Sequence, residues 1–535
     1  MTLADGWTLE MGSHLSGRSV QTSTPANWQA GTIAFLKTIV AAGRDTSSVT
    51  VMQTHISIIL LAGHRALKLK KDVRLPYVDF STPDLRLTAC ERELRLNRRT
   101  APGLYLGVRR VSRQADGSLA LDGDGPLVDA VVDMVRFDEG CLFDDLATSG
   151  RLTAEYIEAL ARQVAAFHGT LDADRHRSGS EIMSAVLDIN QNAFAGTTVF
   201  GEDEVATFCQ MFRARLATIA PLLDARAVAG KIRHGHGDLH LRNICLIDGD
   251  PTLFDCLEFS DDLATTDILY DLAFLLMDLW ARGLHAHANL ALNRYLDDLD
   301  ETDGLPLLPF FMAVRAAVRA HVTATQAMGA TAGADRLERD ARTYFDLAVA
   351  LLEVRPTRLV AVGGLSGSGK STVAASIAPF VGPAPGARVI GSDRTRKRMF
   401  RVPARTRLPA EAYLPAVSAE VYGRLRSEAA RVLHLGHGVV VDAVFDRPDE
   451  SIAIAEVAER EGVPFRGLWL TAPREVLLHR VAQRRGDVSD ATGDVLLSQV
   501  ERAVPPAAWA SVAADASVEV VCAEARCALA ELRTP

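Results

Sequence analysis

Gly364-Leu365-Ser366-Gly367-Ser368-Gly369-Lys370-Ser371-Thr372 follows the apolar run Leu359–Val362 and leads into a helical stretch, Thr372–Ala378. The first eight residues match G-x-x-x-x-G-K-[ST] in the strand–loop–helix setting that this pattern requires. The glycines let backbone N–H groups turn inward around phosphate oxygens. Lys370 has the reach for the β- and γ-phosphates, and the Ser371 hydroxyl suits Mg²⁺. Residues 364–372 are therefore the expected nucleotide loop, with Ser371 also on the metal. Downstream, the apolar runs Arg388–Ile390, Val439–Val441 and Gly467–Leu470 alternate with helical stretches. That alternation predicts a doubly wound parallel sheet. Upstream, Val354-Arg355-Pro356 interrupts a helix, because proline lacks the amide that a helix needs. An α/β domain over 356–535 is expected.

The chain has 535 residues, 48% apolar, 23% charged and 6% aromatic, which excludes collagen-like, disordered and disulfide-scaffold classes. Lys+Arg 58 against Asp+Glu 67 leaves a net charge of −9. That is a poor footprint for general nucleic-acid binding, and the basic run Arg394–Arg398 carries no interleaved aromatic residue. The 7 cysteines include no Cys-x-x-Cys pair, which favours a reduced, cytoplasmic protein. Met1 to Gln21 has no signal-peptide pattern. The apolar stretch Ile268 to Leu292 is broken by Asp271, Asp278 and Arg282, so no membrane span is expected. The lysines are few: 37, 68, 70, 71, 231, 370 and 397.

The first part of the chain reads differently. Residues 1–50 are a tail and one amphipathic helix, Trp28 to Ala42. Strands are predicted from Val51 to Leu69, Leu104 to Val111 and Val128 to Phe137, with a helix near Leu85–Arg98 between them. Residues 145–228 and 267–352 are mostly helical, around a strand–loop–strand segment at Ile232 to Phe259. Strands first and helices later predict an α+β domain over 51–355, with a small sheet lobe and a larger helical lobe.

Within it, His236-Gly237-Asp238-Leu239-His240-Leu241-Arg242-Asn243 fits H-x-D-x-x-x-x-N, and Leu253-Phe254-Asp255 follows. This resembles the catalytic loop of protein-kinase-like folds, closest to the aminoglycoside phosphotransferase group. The resemblance implies Asp238 as acceptor of a substrate hydroxyl proton, with Asn243 and Asp255 on Mg²⁺. It places Lys68, on the strand-like run Ala66 to Lys71, at the ATP phosphates, with Lys70 on the same side as the alternative. Glu93 is its expected partner and Glu91 the second choice. Two departures stand out. No G-x-G-x-x-G precedes Lys68, so Thr54-His55-Ile56-Ser57 is expected to cover the phosphates. Asp255 is followed by Cys256-Leu257-Glu258 rather than Phe-Gly. A rival reading takes His234, His236, Asp238 and His240 as a zinc cluster, but Gly235 and Gly237 favour a turn that would scatter them.

The part after Pro356 resembles small P-loop kinases such as gluconate kinase, chloramphenicol phosphotransferase and the zeta-toxin group. By that resemblance Asp393, after Arg388–Ile390, accepts the hydroxyl proton. Asp442, ending Val439–Val441, is a Walker-B-like metal carboxylate. Arg480 and Arg484, four apart on the predicted helix Arg474–Arg485, would share a face of a lid over the phosphates. The two parts in this order resemble bacterial phosphotransferase/AAA-type fusion proteins. The expected cofactors are ATP and Mg²⁺, and the expected partner is a small hydroxylated substrate of the sugar, aminocyclitol or nucleotide-sugar class. The alternative is one active kinase domain regulated by a nucleotide-binding P-loop domain.

Overall fold

The computed structural model describes residues 27–43, 45–54, 56–75, 78–330, 332–484 and 488–530. The tail before residue 27, His55, and Arg485 to Asp487 of the expected lid lie outside the described residues. The chain divides into two compact units: residues up to 282 with 310–352, and residues 283–309 with 353 onward.

The first unit carries an antiparallel sheet in the order Thr50–Gln53, Ser57–Ala62, Arg65–Lys70, Leu127–Val135, Tyr105–Arg113, Leu119–Leu121. Side-chain alternation along Arg65–Lys70 divides its two faces. Leu67 and Leu69 join Leu36, Val40, Leu60 and Val131 in the core beneath the helix Asn27–Ala41. Ala66 joins Cys90, Tyr105 and Val132 on the opposite face, beneath the helix Pro83–Asn97. Lys68 and Lys70 share the parity of Ala66 and so face that second helix. The Thr82 hydroxyl caps it by accepting from Leu85 N (3.3 Å), and Pro83 opens its first turn. In the helical lobe, Ile268–Ala281 is buried nearly all round, as a core helix is. Its two acids, Asp271 and Asp278, are buried with it. Thr302–Gly329 is long and apolar enough to cross a membrane, but its apolar window is 94% buried inside the folded chain.

The second unit holds a five-stranded, all-parallel sheet in the order Arg388–Gly391, Val439–Asp442, Leu359–Gly364, Phe465–Thr471, Ala510–Ala513. This is the doubly wound architecture expected. Asp442 pairs in register with both Val362 and Gly391, so the loops after these three strands open at one carboxyl edge, where such sheets bind ligands.

The division differs from a single cut at 356 in one respect. The helix His285–Asp298, expected within 51–355, belongs to the second unit. Its polar side chains dock on the lead-in and first residues of the edge strand Arg388–Gly391. Asn293 Oδ1 accepts from Val389 N (2.7 Å), and its Nδ2 donates to Ala387 O (3.1 Å). Asn289 Nδ2 donates to Ala387 O (2.9 Å) and Pro385 O (3.2 Å). Arg388, almost fully buried, pairs with Asp297 (2.9 Å) and Glu428 (3.0 Å). An edge strand otherwise presents unpaired amides and carbonyls. Asn293→Ala removes the acceptor for the Val389 amide. It is expected to destabilise the second unit by about 2 kcal/mol, read as a lower midpoint for that unit's thermal transition in the full chain. An unchanged midpoint would show that the docking is incidental. A fragment cut at 356 lacks this helix.

Candidate functional site

In the first unit the loop from His236 to Asn243 is held from beneath by the two buried acids. The Asp271 carboxylate accepts from His236 N (2.8 Å), Gly237 N (2.8 Å) and His168 Nε2 (3.1 Å). Asp278 accepts from Leu241 N (3.0 Å) and pairs with Arg282 (3.0 Å). Gly237 has φ +81°, and a Cβ there would lie 2.7 Å from Leu257 Cβ, so the loop needs glycine at that point. Asp238 projects from the fixed loop. Its Oδ2 accepts from Asn243 Nδ2 (2.8 Å), which also donates to Asp238 O (2.9 Å). His240 Nδ1 accepts from Arg242 N (3.3 Å), which leaves its Nε2–H towards Asp238 Oδ2 at 3.4 Å. Burial pushes the Asp238 carboxyl up. His240, followed by His236 and Arg315, outweighs that and holds it below its ordinary value.

The zinc reading is not supported. His234 faces Asp261 (3.1 Å), while His236 Nε2 meets Phe254 O (3.0 Å). Among the described residues, no group of three or more ligating side chains is gathered for a metal.

The structure brings Lys68, Glu93 and Asp255 together. Lys68 Nζ lies 2.8 Å from Glu93 Oε1 and 2.7 Å from Asp255 Oδ1. Lys70 is fully enclosed, 2.6 Å from Glu93 Oε2 and 2.5 Å from Glu258 Oε1. Lys68 is therefore the lysine beside Asp255, and Glu93, not the exposed Glu91, is its partner. Asp255 lies two residues past the strand Asp250–Leu253, in the left-handed region (φ +60°), and its amide donates to the Tyr105 hydroxyl (3.2 Å). Across the expected phosphate cover Ser57 N donates to Thr54 Oγ1 (2.9 Å), while the buried Ser57 Oγ has no partner.

In the second unit the glycines at 364, 367 and 369 have φ +137°, +87° and +87°. A Cβ on Gly364 would lie 2.7 Å from Leu470 O, and one on Gly367 2.8 Å from Leu477 O, so the loop is tight against its neighbours. Ser366 N donates to Gln499 Oε1 (2.9 Å) from the helix Gly493–Arg502, a support the motif does not announce. Leu365 O accepts from Lys370 Nζ (3.0 Å), and Ser371 Oγ donates to Asp442 Oδ2 (2.5 Å). Ser371 and Thr372 are exposed in the first turn of the helix Lys370–Ile377. Burial lowers the Lys370 pKa, and the buried Ser368 Oγ has no partner. A cation so placed, beside inward glycine turns and an orphaned hydroxyl, suits a phosphate anion. Asp393 stands in the first turn of Ser392–Met399. Burial raises its pKa against the pull of Ser489, Lys370, Arg396 and Arg484.

The expected pairing of Arg480 with Arg484 does not form. The helix ends at Gln483 and Arg484 continues in extended conformation, so the two do not share a helical face. Arg480 Nη1 is engaged by Ala514 O (2.7 Å), whereas Arg484 lies within electrostatic reach of Lys370 and Asp393. The basic run is also largely engaged: Arg396 donates to Ala412 O, Lys397 pairs with Asp490 (2.5 Å) and Arg398 with Glu428 (2.9 Å).

Comparison with known proteins finds two families in succession along the chain. The phosphotransferase enzyme family matches residues 80–305, and the AAA domain family matches residues 359–506. Uncharacterized proteins of Mycobacterium tuberculosis and Mycobacterium bovis are each 30% identical over 467 residues, covering 86% of this chain and 91% of theirs. Among solved structures, a gluconokinase from Sinorhizobium meliloti is 23% identical (TM-score 0.25), covering 34% of this chain and 95% of its own. A choline/ethanolamine kinase family protein from Mesorhizobium loti is 13% identical (TM-score 0.38), covering 60% and 95%.

Proposed function

This chain belongs to the family of its mycobacterial relatives, and in it a match to the phosphotransferase enzyme family precedes one to the AAA domain family; we propose that it is a kinase with two separate ATP sites. Each transfers a γ-phosphoryl group to a hydroxyl of a small polar molecule of the sugar, aminocyclitol or nucleotide-sugar class. Bound Mg·ATP supplies the phosphoryl group and the metal charge at each site. The chain supplies the rest. In the first unit Lys68, steadied by Glu93, holds the phosphates, Asn243 and Asp255 offer hard oxygen donors to the metal, and Asp238 takes the proton from the acceptor oxygen. In the second unit the loop 364–372 and Lys370 hold the phosphates, with Arg484 nearby. Ser371 and Asp442 offer oxygens to the metal, and Asp393 takes the acceptor proton. Catalysis is positioning plus charge stabilisation, with no covalent intermediate on the protein.

What supports this reading is that the first unit brings Lys68 to Glu93 and Asp255 and pairs Asp238 with Asn243, while the second pairs Ser371 with Asp442 and sets Lys370 within electrostatic reach of Asp393. The expected partners are small molecules rather than nucleic acid or membrane. The test is a screen of hydroxylated metabolites with the full chain and Mg·ATP, scored by the mass gain of one phosphoryl group. Asp393→Ala is expected to remove a subset of the products. If every product survived that substitution, the P-loop unit would be a regulatory nucleotide module and the two-site reading would fail.

A further inference from the structure

Five charged side chains form one row in the first unit: Asp255, Lys68, Glu93, Lys70, Glu258. The successive separations are 2.7, 2.8, 2.6 and 2.5 Å. Glu93 divides its oxygens, Oε1 to Lys68 and Oε2 to Lys70. The Lys70 and Glu93 side chains have no exposure and Glu258 has 8%, whereas Asp255 at the other end is 38% exposed. The row crosses the two lobes, since the lysines lie on the strand Arg65–Lys70 and the acids 255 and 258 on the segment after Asp250–Leu253.

Two features give the row a direction. Asp255 adopts a left-handed backbone that a non-glycine residue keeps only when its surroundings impose it. Those surroundings are the Tyr105 hydroxyl on its amide, Asn97 Oδ1 on the Cys256 amide (2.8 Å), and the Lys70–Glu258 bridge three residues on. The second feature is charge. Without Asp255, the remaining two lysines and two glutamates are neutral together. Asp255 can therefore turn from Lys68 towards a metal without stranding net charge in the interior.

We propose that Lys70 and Glu258 are a positioning pair that holds the 255–258 turn so that Asp255 is delivered to the metal side of the first ATP site. Neither residue touches the nucleotide. Lys70 acts through Glu93 and Glu258, and Glu258 acts through the backbone of the turn. This rests on the reading of the first unit as an ATP site.

The test uses the full chain carrying Lys370→Ala, so that the binding isotherm belongs to the first unit. ATP affinity is measured by calorimetry with Mg²⁺ and with EDTA, and the ratio of the two dissociation constants is the readout. Lys70→Met/Glu258→Gln removes both charges together and leaves no unpaired buried ion. It is expected to lower the Mg²⁺-dependent gain in affinity about tenfold, the scale on which residues behind a metal ligand act, while ATP affinity in EDTA stays within about twofold. An unchanged ratio, including one where both affinities fall in parallel, overturns the proposal and makes the pair simple charge compensation. Should the double variant fail to fold, Glu258→Asp decides. It keeps the charge, shortens the reach by one carbon, and is expected to lower the ratio in the same sense; an unchanged ratio again overturns the proposal. If the Lys370→Ala parent itself takes up no Mg·ATP, the two-site reading fails and the proposal with it, an outcome distinct from a parent that binds and a double variant that matches it.

Discussion

Asp238→Asn is expected to lower phosphotransfer by the first unit about a thousandfold, the usual scale for losing a positioned proton acceptor, and to leave the Lys370-dependent products at the level of the unmodified chain. The amide keeps the shape of the carboxylate and can still accept from Asn243 Nδ2, which holds Oδ2 at 2.8 Å. The loop itself is fixed by Asp271 and Asp278 rather than by Asp238. The loss should therefore fall on turnover and not on folding. Lys370→Ala should give the reciprocal pattern, because the proposed function makes the Lys370 ammonium the phosphate cation of the other site. Product formation from each acceptor, measured for the two variants and their combination, checks both. A single substitution that silenced every product would refute independent sites.

The second large effect is on stability. Asp271→Ala removes the acceptor for two loop amides and for His168 at once. It leaves the His236 and Gly237 amides buried without that acceptor, a loss of about 3 kcal/mol. The first unit should melt well below the second, and its kinase activity should fall with it. The same carboxylate makes the first unit acid-sensitive. Burial raises the Asp271 pKa, but the His168 hydrogen bond and the charges of His168, His236 and Arg315 hold it far below the usual carboxylate range. Asp278 is lowered to about 2, with Arg282 as the chief cause against burial. A pKa depressed by folding adds stability that is fully present above the unfolded value, near 4, and is lost as pH falls towards the folded value. First-unit stability should thus hold from neutrality to about pH 5 and drop steeply below about pH 4. Asp271→Ala should flatten that drop. A wild-type acid profile in the variant would show that Asp271 does not set it.

Asp271 and Asp278 also show where reading the chain stops. Their positions are visible as two acids in an otherwise apolar stretch, and that breach was a signal. Its meaning, two acceptors for the amides of a loop more than thirty residues away in sequence, appears only when the helix Ile268–Ala281 packs beneath His236 to Asn243. Lys68 and Lys70 are alike by alternation, since period two puts both on one face. Their neighbours separate them: Asp255 stands beside one and Glu258 encloses the other.

What was legible was local. The loop 364–372 and the run His236 to Asn243 stand out as candidate sites within a few residues, because the phosphate cradle and the base-plus-metal loop proposed for them would each be built from one short piece of backbone. The alternating runs after Pro356 likewise announce a parallel sheet, because each strand must be apolar on both faces. What packing alone settled were relations between distant pieces. Gln499 reaches the Ser366 amide, Asn293 caps an edge strand almost a hundred residues further along the chain, and Glu93 divides its oxygens between two lysines. A helix that stops at Gln483 separates Arg480 from Arg484. A hydrogen bond or ion pair depends on a few ångströms of separation, and for residues a hundred positions apart that separation is set by the whole fold and not by their spacing along the chain.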